Sequence, residues 1–93
     1  MRSKSSIRRR QRGRRKRDLA RELHLKVGRA FGPHLRTLRT RARMSQGDLA
    51  GAHRDRSFIA KLESGASMPS LETLGDLAST LGVGRKALIP KEL

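Results

Sequence analysis

Apolar residues in this chain recur at helical spacing in short runs, and capping residues break the runs at regular points. The pattern is densest over residues 44–65. Ser45 is a good N-cap, Gln46 takes the first helical position behind it, and Leu49 and Ala50 supply an apolar pair. Asp55 is a second N-cap, followed by Phe58, Ile59 and Leu62 on the inner side of a helix that Gly65 ends, as glycine does just past a helix C-terminus. Arg56, Ser57 and Lys61 face outward. The stretch predicts two short helices joined by the turn Gly51-Ala52-His53-Arg54-Asp55.

The same reading extends to both sides. Gly32-Pro33 marks a boundary, because proline suits the first helical position. The helix it opens carries Leu35, Leu38 and Ala42 inside and Arg36, Arg41 and Arg43 mostly outside. After the loop at residues 66–69, Ser70 caps a helix with Leu71, Leu74, Leu77, Ala78 and Leu81 on one side, and Gly82 stops it. A last short helix carries Ala87, Leu88 and Ile89 and is closed by Pro90. Upstream, Leu19, Leu23, Val27 and Ala30 form one stripe and predict an extra amphipathic helix over 18–30, capped by Asp18 and weakened by Gly28. That stripe suits docking on the main domain, a dimer contact, or a helix that forms only on binding. No run alternates with period two over a strand length. The predicted class is therefore all-α: five short helices over 31–93, preceded by the extra helix and a basic arm. A core of about 60 residues is marginal alone, and dimerisation would help it by mass action.

Charge changes this picture. The net charge is +15, and residues 1–21 hold eleven Lys/Arg against one Asp. Arg8, Arg9, Arg10, Arg12, Arg14, Arg15, Lys16 and Arg17 crowd together with almost no apolar side chain among them. Such a segment buries too little to offset its ordering entropy, so residues 1–17 read as a disordered polybasic arm. Its charge suits DNA phosphates or a minor groove. A solvated tail without a specific role, or an upstream stretch included by a mistaken start site, fits the residues as well.

The remaining chemistry mostly excludes. There is no cysteine, so disulfides and thiolate metal sites are out. His24, His34 and His53 share no ligand spacing, so no metal or cofactor is expected. Nothing places a nucleophile, base and orienting group together, so an enzyme is not expected. No segment approaches the roughly 20 apolar residues that span a bilayer, and the basic leader lacks the apolar stretch of a secretory signal. The expected location is cytoplasmic, at the nucleoid. Two aromatics, Phe31 and Phe58, are too few for a platform that stacks single-stranded bases.

Two helices meeting across a tight turn form a helix-turn-helix unit, whose second helix can enter a DNA major groove. The order of residues resembles the phage repressor and Cro type (XRE) helix-turn-helix family. The matching run is Phe31-Gly32, Leu35, Leu38-Arg39, Met44-Ser45-Gln46, Leu49-Ala50, Ile59, Leu62-Glu63, Gly65, Pro69-Ser70-Leu71, Leu74, Leu77-Ala78, Leu81-Gly82-Val83 and Leu88-Ile89. The resemblance implies a sequence-specific, double-stranded DNA-binding transcription regulator, acting as a homodimer. It implies that Arg56, Ser57 and Lys61 face base edges, that Gln46 holds a phosphate, and that Arg39 and Glu63 form a structural ion pair. Arginine and lysine can donate to guanine in the major groove, and serine serves several bases. The turn at residues 51–55 is one residue shorter than the family's and lacks its Gly-apolar pair, so it must close differently. The loop at residues 66–68 lacks the basic residues of some relatives, which shifts the expected phosphate contacts toward Arg43, Arg54 and the arm. The alternative class is an antitoxin-like or adaptor protein that uses the Leu19–Ala30 stripe on a partner protein. Non-specific nucleic-acid binding through the arm is a third.

Overall fold

The computed structural model describes the backbone of residues 2–93 and the side chains from residue 15 onward. The described residues are all-helical: α1 (Arg2–Arg41), α2 (Gln46–Ala50), α3 (Arg56–Ser64), α4 (Leu71–Leu81) and a 3-10 helix (Arg85–Leu88). Four α-helices and one 3-10 turn thus stand where five short helices are expected. The last element is 3-10 because it has only four residues between Gly84 and the extended Ile89, and its bonds close at short range, as in Ala87 N–H to Gly84 C=O. The expected arm over residues 1–17 lies, through residue 14, outside the described side chains. Arg15, Lys16 and Arg17 are exposed and helical, part of α1.

The caps fall where the residue types put them. Ser45 accepts the Asp48 amide, and Asp48 accepts the Ser45 amide in return, so α2 opens on a full capping box. Asp55 accepts from Phe58 N–H, and Ser70 from Thr73 N–H. Gly65 and Gly82 end α3 and α4 in the left-handed region. The shortened turn closes at its first residue. Gly51, with φ 68 and ψ −158, takes a conformation open essentially only to glycine, directly after Ala50.

Phe31 and Leu35 of α1, Leu49 and Ala50 of α2, Ile59 and Leu62 of α3, Leu77 and Ala78 of α4 and Leu88 form one buried cluster. Leu38, Phe58, Leu74 and Leu81 pack against it. Three expected inner residues do not belong. Ala42 is exposed beyond the last turn of α1, and Ile89 lies half out of the core just past the 3-10 helix. Leu71, at the first position of α4, is 86% exposed, because the opening turn of α4 has not yet met the core. The stripe over 18–30 is also incomplete: Val27 and Ala30 are half-buried, whereas Leu19 and Leu23 stay exposed.

The boundary expected at Gly32-Pro33 is absent, since α1 runs through Pro33. Interior proline normally costs about 3 kcal/mol, as it removes a hydrogen bond and crowds the carbonyl four residues back. Packing on both sides of the proline overrides this. Gly28 and Gly32 are buried against the last turn of α3, while Arg29 and Pro33 are exposed. A Cβ on Gly28 would meet the Gly65 carbonyl oxygen at 2.9 Å, and one on Gly32 would meet the Glu63 carbonyl oxygen at 2.3 Å. Two glycines one helical turn apart therefore let the backbones of α1 and α3 touch. The carbonyl that Pro33 deprives of a donor, on Arg29, belongs to the exposed side.

Gly32→Ala is expected to cost about 1–3 kcal/mol, the range for overpacking a close contact. Gly47→Ala, in α2 with only the Ser45 hydroxyl near at 3.8 Å, is expected to be neutral or stabilising through helix propensity. Urea denaturation of the two variants against the parent checks the sign of each.

Candidate nucleic-acid interface

Helix α3 has two unlike faces. Ile59 and Leu62 are fully buried, and Arg56, Ser57 and Lys61 are exposed. The helix is held from three sides. Phe58, Ile59 and Leu62 seat it in the core, Gly28 and Gly32 lie against its last turn, and Glu63 ties it to α1 and α2.

Glu63 is the centre of that tie. Its Oε2 accepts from Arg39 Nε at 2.6 Å and its Oε1 from Arg39 Nη2 at 3.0 Å, a bidentate pair. The side chains are only 12% and 6% exposed. Arg39 also donates from Nη1 to the Met44 carbonyl at 2.8 Å, which fixes the chain as it leaves α1. Hydrogen bonding to the Glu63 carboxylate outweighs partial desolvation and holds the Arg39 guanidinium above its ordinary pKa.

Gln46 joins the same network. Its Nε2 donates to Glu63 Oε1 at 3.2 Å, and its Oε1 accepts from Arg56 Nε at 3.4 Å. One continuous chain of contacts therefore runs Arg39–Glu63–Gln46–Arg56. The sequence reading paired Arg39 with Glu63 but treated Gln46 and Arg56 only as outward contacts. The missed signal is the capping box: it pins Gln46 at the first position of α2, next to the end of α1. Arg39, Ser45, Gln46, Gly47 and Arg56 line one shallow depression of about 480 Å3.

The other named residues are placed separately. Ser57 donates to Asp55 Oδ1 at 2.9 Å, so its hydroxyl already serves the cap. Hydrogen bonds from the Phe58 amide and the Ser57 hydroxyl hold the Asp55 carboxyl below its usual range, and bonds to Ser45 do the same for Asp48. Arg54 turns away from α3's outer face. It pairs with Asp76 at 3.0 Å, reaches Thr73 Oγ1 at 3.4 Å, and sits 5.4 Å from the centroid of the Phe58 ring. It thereby fastens the turn to α4. Lys61 is exposed in the second half of α3.

Arg43 stands between α1 and α2 and is the only non-glycine residue with positive φ among those described, at 58. Its amide bonds to the Thr40 carbonyl and the Met44 amide to the Arg39 carbonyl, the closing bonds of a left-handed C-cap. Glycine is the residue that such a position favours. An arginine there costs about 1 kcal/mol in backbone strain and leaves a cation exposed beside the start of α2.

Among the described residues no group of three or more His, Asp or Glu is placed to hold a metal, and no helix is long and apolar enough to cross a membrane. A family model described as a helix-turn-helix domain matches residues 30–88, well over half of the chain. The chain belongs to the helix-turn-helix domain family. Comparison with curated proteins and with solved structures gives no match. Membership supports DNA binding. In this helix-turn-helix domain α2 and α3 are the paired helices, and Gly51 opens the turn between them.

Arg43→Gly is expected to raise the stability of the free domain by about 0.5–1 kcal/mol, by relieving the left-handed strain. Thermal unfolding without DNA reads it. An unchanged or lower melting temperature would mean that the arginine makes a compensating contact.

Proposed function

We propose that this helix-turn-helix domain is a sequence-specific regulator of transcription, of the phage repressor and Cro (XRE) type. It binds double-stranded DNA as a homodimer on a two-fold site, at the nucleoid. One observation carries the reading: α3 buries Ile59 and Leu62 while leaving Arg56, Ser57 and Lys61 in solvent, on a helix held from three sides.

In this reading the outward side chains of α3 meet base edges in the major groove. Arg56 and Lys61 donate to guanine O6 and N7. Ser57 exchanges its bond to Asp55 for a base or stays with the cap. A phosphate lies at the depression lined by Ser45, Gln46 and Arg56, within reach of Arg43. Gln46 then has two tasks, since its amide already links Glu63 to Arg56. Arg54 contacts a phosphate only by giving up Asp76. The basic N-terminal residues add phosphate contacts, which carry affinity and salt dependence but little sequence choice.

A second reading, an antitoxin-like or adaptor protein acting through a partner protein as well as DNA, draws on the exposure of Leu19 and Leu23, 55% and 60%, on α1. A monodisperse homodimer in the absence of other proteins counts against an obligate partner of that kind.

The test is selection of bound duplexes from a random pool, followed by titration of the selected site and a scrambled one. Arg56→Ala with Lys61→Ala is expected to shrink the preference for the selected site by tenfold or more, since each base contact is worth about 1–3 kcal/mol of discrimination. Arg43→Gly is expected to weaken both duplexes alike. Unchanged preference in the double variant would remove α3 as the reading helix.

A further inference from the structure

The outer side of α4 and the 3-10 helix form a groove that the domain leaves empty. It is about 700 Å3 in volume. Leu71 and Ile89 stand at its edges, 86% and 48% exposed, and Leu74 and Gly75 lie between them. No apolar residue of the chain covers Leu71, which is the most exposed large apolar side chain described.

The charges around this groove are segregated. Glu72 and Asp76 are on α4, and Arg85 and Lys86 are on the 3-10 helix. Asp76 is taken by Arg54, but Glu72, Arg85 and Lys86 make no ion pair among the described residues. A uniformly acidic or basic partner would meet like charge on one wall. A second copy of this chain, turned by a two-fold axis, would set its acidic wall against the basic wall of the first, and the reverse, with Leu71 and Ile89 packed between them. An interface made of one patch against itself needs this arrangement. The groove is also suited by position in the charge pattern. In a chain of net charge +15, two of the eight acidic residues lie here. The competing apolar stripe at Leu19 and Leu23 lies in residues 15–30, which hold six Lys/Arg and two acidic residues, and two copies meeting there would repel.

We infer that the homodimer forms through the α4 and 3-10 groove, with Glu72 of each copy facing Lys86 of the other. This rests on the dimeric reading above.

The test uses the full chain without DNA, so its outcome is independent of what α3 reads. Leu71→Asp removes the apolar edge at an exposed position and is expected to raise the dimer dissociation constant by tenfold or more in sedimentation equilibrium. Glu72→Lys and Lys86→Glu each place like charges across the two-fold axis and are expected to weaken self-association. Mixed in equal amounts, the two single variants regain opposite charges at both contacts, so native mass spectrometry is expected to show the mixed dimer in excess over either homodimer. A monomeric parent chain would overturn the inference. So would a dimer indifferent to Leu71→Asp but lost on Leu19→Asp with Leu23→Asp, or a statistical mixture of the two charge variants.

Discussion

The pair between Arg39 and Glu63 is the constraint on which the arrangement of the helices depends. Its two hydrogen bonds close α1 onto α3, the third guanidinium contact holds the Met44 carbonyl, and Gln46 brings α2 to the same carboxylate. A pair this buried is not a strong source of net stability, because desolvation offsets most of its attraction. Its importance is geometric. Each polar atom has a fixed partner, no buried side-chain polar atom among the described residues lacks one, and the alternatives leave a buried charge exposed to nothing. The apolar core alone would tolerate α3 sliding by part of a turn. The Arg39–Glu63 fork would not.

The glycine contact acts on the same helix from its other end. Gly28 and Gly32 bring α1 to backbone contact with the last turn of α3, and Glu63 lies in that turn. Position and rotation of α3 are thus set by a steric stop and an ion pair together. Proline at 33 is accommodated because it points away from both.

What was legible in the sequence follows the range of the forces involved. Caps and stops depend on neighbours three or four residues away, and Ser45, Asp55, Gly65, Ser70 and Gly82 are read without difficulty. The burial of Ile59, Leu62, Leu77 and Leu88 follows from helical period. Pro33 misled, because the local rule for proline was overridden by a contact some 30 residues away, between Gly32 and Glu63. Leu71 misled because period alone cannot say where a helix first meets its core. Arg54 was read as an outward cation, and its partners Asp76 and Thr73 lie on a helix whose position only the fold provides. In the candidate interface, the residue types were visible and the network joining Gln46 to Glu63 and Arg56 was not. The division of charge was plain throughout: most of the excess lies before residue 22, away from the short helices, which is why affinity and sequence choice are assigned to different parts of the chain.

The account's central claim, that Arg39 and Glu63 act as one unit in holding α3, is tested most directly by a double-mutant cycle. Arg39→Ala, Glu63→Ala and the double variant would be compared with the parent by urea denaturation. Each single variant strands the other charge, and losses of about 3–5 kcal/mol are typical for breaking such a buried pair. The double variant is expected to lose much less than the sum, with a coupling of about 2 kcal/mol or more. Losses that add to within about 0.5 kcal/mol would show two independent side chains and contradict the account.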